Sequence, residues 1–429
     1  MRRWRKDAMA AFCTFVPSGG VTSPRGFRAS GVRAGIKKNG NPDVAIVEAN
    51  AVVAAAGVFT TNKAQAAPVL LSLEHLATSG GRARAVVVNA GCANACTGAQ
   101  GMTDAREMAA LTAGLLGCRP AEVLVTSTGV IGVSLPMDRV RSGIAAAAGS
   151  LSIDGATDAT HAIMTTDPFP KSCAVTVRAR GTGHPAPWNP DTGNHGTTGF
   201  AVGGMCKGSG MIEPRMATML GFITTDVKIA PDVLRAALVK VADVTFNAIT
   251  VDGECSTNDC VFILASGESG VTVTSADDPD FIGALTDVCG FLAREIVRGG
   301  EGATKLVTVH VTGAATHNDA WLAARTICNS PLVKTAIHGG DPNWGRLVAA
   351  AGRSGAAFDL NTTSVSIGDV PLFVKGVPHD DLAPAAADLL VKKEIAITVD
   401  LGLGGNHAAT MWTCDFSADY VRINAEYRT

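Results

Sequence analysis

Lys207-Gly208-Ser209-Gly210-Met211-Ile212-Glu213-Pro214-Arg215-Met216-Ala217-Thr218-Met219-Leu220 lies at the middle of a chain of 429 residues. Glycines and a proline break it into a turn, and the apolar run Met219-Leu220-Gly221-Phe222-Ile223 that follows reads as a strand. The turn therefore delivers a hydroxyl, that of Thr218, to the mouth of a strand. A threonine hydroxyl is a poor nucleophile unless a base stands beside it. Cutting the Ala217–Thr218 bond supplies one, because the new α-amine belongs to the same residue as the hydroxyl. The segment reads either as the processing site of an enzyme with an N-terminal threonine nucleophile or as an ordinary turn before a strand.

Composition narrows the class. Hydrophobic residues make up 47% of the chain, enough for a large core, and the length allows two or three domains. A formal net charge of −2 gives no attraction to nucleic acid or an anionic membrane, and neither is expected as a partner. The longest apolar stretch, Ala51 to Phe59, is too short to span a bilayer. Eleven cysteines are scattered singly, without zinc-knuckle or redox spacing. They fit a reducing, cytoplasmic setting and no metal site. The basic start, Met1-Arg2-Arg3-Trp4-Arg5-Lys6, lacks a secretory apolar segment and reads as a plain tail.

Outward from the central turn the pattern alternates strands and helices. Ala83 to Asn89 reads as a buried strand entering a small-residue turn, Ala90 to Gly98, with a helix from Met102 to Leu116. Glu122 to Thr126 reads as a second strand that opens into the turn Ser127-Thr128-Gly129-Val130-Ile131-Gly132. A threonine hydroxyl and a glycine N–H at such a point suit a developing oxyanion, or simply make a structural turn. In Thr165-Thr166-Asp167-Pro168, Asp167 is extended before proline, a group that holds an amino-acid ligand or caps a turn. The segment from Thr182 to Thr198 reads as an exposed loop.

Beyond Thr218, Val233, Leu234, Ala237, Leu238 and Val241 share a helical face, as do Ile282, Leu285, Cys289, Leu292 and Ile296. Lys305 to Val311 alternates as a strand, within a smaller α/β unit from about Gly302 onward. Asp252 to Cys260 is dense in acceptors, but its acids miss the alternate positions of a calcium loop. Glu301 stands between two glycines at a helix end. His338 to Arg346 reads as a loop, without the Lys-Ser/Thr of a phosphate loop. Gly402-Leu403-Gly404-Gly405 lacks the dinucleotide fingerprint.

The central segment taken with these pieces resembles the ornithine acetyltransferase family, also called the glutamate N-acetyltransferase (ArgJ) family. The resemblance runs from about Gly20 to Thr429 and includes Gly57 to Asn62, Asn89 to Gly98, Ser127 to Gly132, Met164 to Asp167, Asp252 to Asp259, Gly300 to Lys305, Asp341 to Arg346 and Ile423 to Tyr427. It implies an α/β layered sandwich of the ArgJ/DmpA type, self-processing and N-terminal-nucleophile-like, with a smaller C-terminal α/β domain. The implied organisation is a tail over 1–18, an alpha chain over 19–217, the first part of a beta chain over 218–301 and its C-terminal domain over 302–429. It implies cleavage between Ala217 and Thr218, Thr218 as nucleophile, and Thr128 with Gly129 as the oxyanion hole. Acetyl would pass from N2-acetyl-L-ornithine to L-glutamate. Thr165, Thr166, Lys207, Thr218, Glu301, Asn424 and Thr429 would hold the amino-acid substrate.

No cofactor is implied, although acetyl-CoA serves some members as a second acetyl donor. The implied assembly is two alpha and two beta chains. Cys255 and Cys260 depart from the family's hydroxyl residues, and Glu213 and Arg215 decorate the processing turn. The alternatives are a self-processing aminopeptidase or amidase, and an uncut binding protein without chemistry.

Overall fold

The computed structural model describes residues 13–178, 199–213 and 219–426. The loop expected over 182–198, the Ala217–Thr218 junction and Thr429 lie outside the described residues. The chain divides into two compact units. The larger comprises Met1–Gly208, Arg215–Asn247 and Cys255–Ile296, and the smaller Ser209–Pro214, Ala248–Glu254 and Val297–Thr429.

The larger unit carries β1 (Cys13–Val16), β2 (Phe27–Val32), β3 (Val44–Phe59), α1 (Ala67–Thr78), β4 (Arg82–Cys92), α2 (Gly98–Leu116) and β5 (Val123–Val130). Then come α3 (Met137–Gly149), α4 (Ala156–Ile163), β6 (Lys171–Arg178), β7 (Gly199–Lys207), β8 (Leu220–Thr225), β9 (Lys228–Ile229), α5 (Pro231–Val244), β10 (Cys260–Ala265), β11 (Thr272–Val273) and α6 (Pro279–Arg298). Nine strands form one mixed sheet in the order β1-β6-β7-β8-β10-β3-β4-β5, with β2 also on β3. The pairs β4–β5 and β8–β10 are parallel. These central strands are apolar on both faces because both are covered. Ile46, Val87 and Val125 point to one core with Met108 and Ile144 of the helices, whereas Val47, Val88 and Leu124 point to the other with Ile163. Alternation of side chains along a strand thus builds two cores from one sheet.

The smaller unit carries β12 (Leu306–Ala314), α7 (His317–Cys328), α8 (Pro331–Gly339), α9 (Trp344–Gly352), β13 (Ser364–Ile367), β14 (Val370–Val374), β15 (Val377–Pro378), α10 (Ala383–Leu390), β16 (Glu394–Asp400), β17 (His407–Cys414) and α11 (Ala418–Ala425). Its sheet runs β15-β14-β13-β16-β12-β17, and Val307, Val309 and Val311 face its core as the period-two reading requires.

Three local expectations are corrected. The strand read over Ala83 to Asn89 continues to Cys92, and that read to Thr126 continues to Val130, because the two stay paired in parallel through Gly91 and Gly129. Thr128 and Gly129 are therefore the end of a strand, not a free turn. The segment His338 to Arg346 is mostly helical: α8 ends on the left-handed Gly340 (φ 74°), and α9 starts after Asn343, whose side chain accepts from the Arg346 N–H. The loop between them is short, since a glycine stop and an asparagine cap stand almost back to back.

Candidate active site

In the larger unit the site is built on the C-terminal end of β5. Thr128 is buried, and Gly129 takes φ 127°, a conformation favouring glycine. A Cβ on Gly129 would lie 2.3 Å from the Gly91 carbonyl carbon, so the close approach of β4 also demands glycine. Lys207, the last residue of β7, sends its ammonium to the Thr128 hydroxyl at 3.1 Å. A buried cation beside a hydroxyl at a strand end favours negative charge developing there.

An ion pair absent from the sequence reading supports that lysine. Asp167 and Lys171 have fully buried side chains and meet at 2.5 Å. The same Asp167 oxygen accepts the Gly208 N–H at 2.8 Å, and the other accepts the Thr165 N–H at 3.0 Å. Burial works to raise the Asp167 pKa, but Lys171, Lys207 and the Gly208 N–H outweigh it and bring it down to about 2. Asp167 is thus an internal brace for the Lys207–Gly208 corner, while Thr165 and Thr166 beside it stay half-buried. Lys37 completes the basic group: burial lowers its pKa to about 8, Asp43 and Asp167 oppose that, and Lys207 adds to it. Only the four-residue spacing of Asp167 and Lys171 hinted at their pairing, and a proline-broken segment conceals it.

The smaller unit carries Glu301 and Asn424. Glu301 is buried just after α6, and its carboxylate accepts from Asn424 Nδ2 at 2.9 Å. Gly210 lies against that carboxylate: a Cβ there would be 2.3 Å from Glu301 Oε2. The strap from Ser209 to Glu213 is tied along its length. Ser209 Oγ donates to the Gly299 carbonyl and the Glu301 N–H to the Ser209 carbonyl. Met211, left-handed at φ 59°, and Ile212 both donate their N–H groups to Asp252. Glu213 is buried and accepts from Arg325 at 2.5 Å, Asn329 at 2.8 Å and Thr250 at 2.9 Å.

The structure brings Thr128, Gly129 and Lys207 together in one unit, and Glu301 and Asn424 together in the other. Ala217, Thr218 and Thr429 lie outside the described residues. Met219, next to Thr218, donates its N–H to Asp259 at 3.0 Å. Among the described residues no His, Cys, Asp or Glu group is arranged for a metal, and no helix is long and apolar enough to cross a membrane. All eleven cysteines are free.

One end of the mixed sheet thus brings together a hydroxyl, a glycine and an ammonium, groups able to receive a developing negative charge. The chain belongs to the ArgJ family, whose model matches residues 28–429. It is 50% identical over 417 residues to the arginine biosynthesis bifunctional protein ArgJ of Symbiobacterium thermophilum, covering 96% of this chain and 99% of that one. The protein of the same name from Dehalococcoides mccartyi is 44% identical, over 98% of this chain and 100% of that one. Among solved structures, the ornithine acetyltransferase of Mycobacterium tuberculosis complexed with ornithine is 40% identical, with a TM-score of 0.40 over 47% of this chain and 98% of that one.

Proposed function

We propose that this chain is an acetyltransferase of arginine biosynthesis that cuts itself between Ala217 and Thr218. The Thr218 hydroxyl attacks the Ala217 carbonyl carbon, the C–N bond breaks, and the nitrogen takes the proton to become an α-amine. Water then hydrolyses the ester, leaving an Ala217 carboxylate and a free Thr218 hydroxyl. In turnover the α-amine takes the hydroxyl proton as the oxygen attacks the acetyl group of N2-acetyl-L-ornithine. The proton passes to the departing nitrogen of L-ornithine, and acetyl-Thr218 remains. The neutral α-amine of L-glutamate attacks that ester, and the Thr218 oxygen recovers a proton as N-acetyl-L-glutamate leaves.

Thr128 and Gly129 receive the oxyanion in each step, with Lys207 adding positive charge. The observation that carries this reading is the Lys207 ammonium seated 3.1 Å from the Thr128 hydroxyl, in a chain with relatives named for arginine biosynthesis. Thr165 or Thr166, Lys207, Glu301, Asn424 and Thr429 hold the amino acid, with Glu301 receiving its ammonium. Those relatives are named bifunctional, which supports acetyl-CoA as a second donor here. An assembly of two alpha and two beta chains in the cytoplasm completes the reading.

Denatured mass with N-terminal sequencing, followed by an acetyl-exchange assay, tests it. Two fragments are expected, the second starting at Thr218, with transfer from acetylornithine to glutamate. Thr218→Ala is expected to give one intact chain and no transfer. A cut and active Thr218→Ala protein would sink the mechanism.

A further inference from the structure

The two residues just before β10 are an enclosed polar pair on the Thr128 side of the larger unit. Asn258 is 5% exposed and Asp259 fully buried. Asn258 Nδ2 donates to the Ser127 carbonyl at 3.0 Å and to the Ala93 carbonyl at 2.6 Å. The Ser127 oxygen and the Thr128 N–H are opposite ends of one planar peptide, so a donor gripping the oxygen orients the N–H. Asn258 is itself held, since its Oδ1 accepts from the Thr257 hydroxyl at 2.5 Å and its backbone N–H donates to Ser256 Oγ at 3.1 Å.

Asp259 Oδ1 accepts the Met219 N–H at 3.0 Å, and the Met219 carbonyl accepts the Cys260 N–H at 3.3 Å. The Met219 nitrogen is bonded directly to the Thr218 carbonyl carbon. Two adjacent residues therefore grip the peptide that feeds Thr128 and the peptide that leaves Thr218. Both grips stand at the head of β10, which pairs with β8 from Cys260↔Leu220 and with β3 from Cys260↔Phe59.

We infer that Asn258 and Asp259 are a positioning pair that sets the nucleophile against the oxyanion-receiving end of β5. The inference rests on the reading of Thr218, Thr128 and Gly129 given above. Neither residue need touch substrate; each acts through a backbone amide. Burial pushes the Asp259 carboxyl well above the usual range, against the Met219 N–H, the Lys207 charge and Ser256, which all favour the ionised form. The Met219 N–H needs an acceptor oxygen at this position, which a carboxamide supplies as well as a carboxyl does.

Isosteric variants test this by the rate at which precursor is cut, read by denatured mass, and by kcat and KM of the processed enzyme. Asn258→Leu removes the donors with little change of size. It is expected to lower kcat by about 10- to 100-fold and leave KM within about twofold, the pattern of a displaced oxyanion donor. Asp259→Asn keeps an acceptor and is expected to cut and turn over within about threefold of the parent. Asp259→Leu has no acceptor and is expected to slow cutting by about tenfold or more. If Asn258→Leu does not fold, Asn258→Ala removes the same donors and is held to the same split.

An unchanged kcat in the Asn258 variant, or parental cutting in Asp259→Leu, overturns the inference. Asp259→Asn as impaired as Asp259→Leu also overturns it, and assigns Asp259 to proton transfer instead. Parent enzyme that is cut and active alongside these results keeps the underlying mechanism standing, so the two failures are distinguishable.

Discussion

Thr128 is a residue whose hydroxyl is held by an ammonium rather than left to solvent. Replacing it by alanine removes one donor from the developing charge and leaves the remaining substrate contacts in place. Thr128→Ala is expected to lower kcat by about 10²-fold with little change in KM, measured by acetyl exchange. Asp167 makes a prediction about pH. Its pKa is depressed from 3.8 to about 2, so the folded state binds the proton less readily than the unfolded chain. The stability from this group is complete above about pH 4 and is lost as pH falls toward 2, amounting to about 2 kcal/mol. Asp167→Asn is expected to flatten that part of the stability–pH curve and to lower stability at neutral pH by about 3–5 kcal/mol, because Lys171 stays buried without its anion. Denaturant titrations at pH 3 and pH 7 measure both effects.

At the scale of elements, the strap from Ser209 to Glu213 has more polar ties than a connecting loop needs. Asp252 takes two of its N–H groups, and Glu213 takes three side-chain donors. Its Gly210 backs directly onto Glu301. Gly210→Ala would drive a methyl group into the Glu301 carboxylate and displace the group assigned to the substrate ammonium. The expected outcome is KM for the amino acid raised about tenfold, with Thr218 still exposed by cutting, as kinetics and mass together would show. Normal KM in that variant would place the ammonium elsewhere. Gly129 shows a related constraint: the Gly91 backbone of β4 lies too close to it for any side chain.

At the scale of the whole molecule, the smaller unit is assembled from three separate stretches of chain. Two of them, Ser209–Pro214 and Ala248–Glu254, precede most of the unit in sequence and carry Glu213, Thr250 and Asp252. Arg325 and Asn329 depend on Glu213, and Tyr420 donates to Asp252 at 3.2 Å. A fragment of residues 302–429 expressed alone lacks all of these partners. It is expected to be poorly ordered by circular dichroism and unprotected in hydrogen exchange, although its six-stranded sheet is complete. A stable, protected fragment would show that the two short stretches are dispensable to the fold.

The chain by itself determined the α/β class and the cores of its strands. Periodicity of apolar residues depends only on local geometry, and the runs at Val86–Val88 and Val307–Val311 express it fully. Glycine, proline and hydroxyl residues at the central turn are likewise local chemistry, so Thr218, Thr128 and Gly129 stood out in the sequence as candidates. Partnership was not. Glu213 with Arg325 and Asn258 with Ser127 join residues more than one hundred positions apart, whose pairing no spacing rule encodes, and the four-residue spacing of Asp167 and Lys171 is no guide in a segment broken by prolines. The strand ends were misread as turns for the same reason, since only cross-strand pairing carries the ladder through Thr128 and Gly129. Tertiary structure alone decided these contacts, because a hydrogen bond or an ion pair acts across space and leaves no period in the sequence.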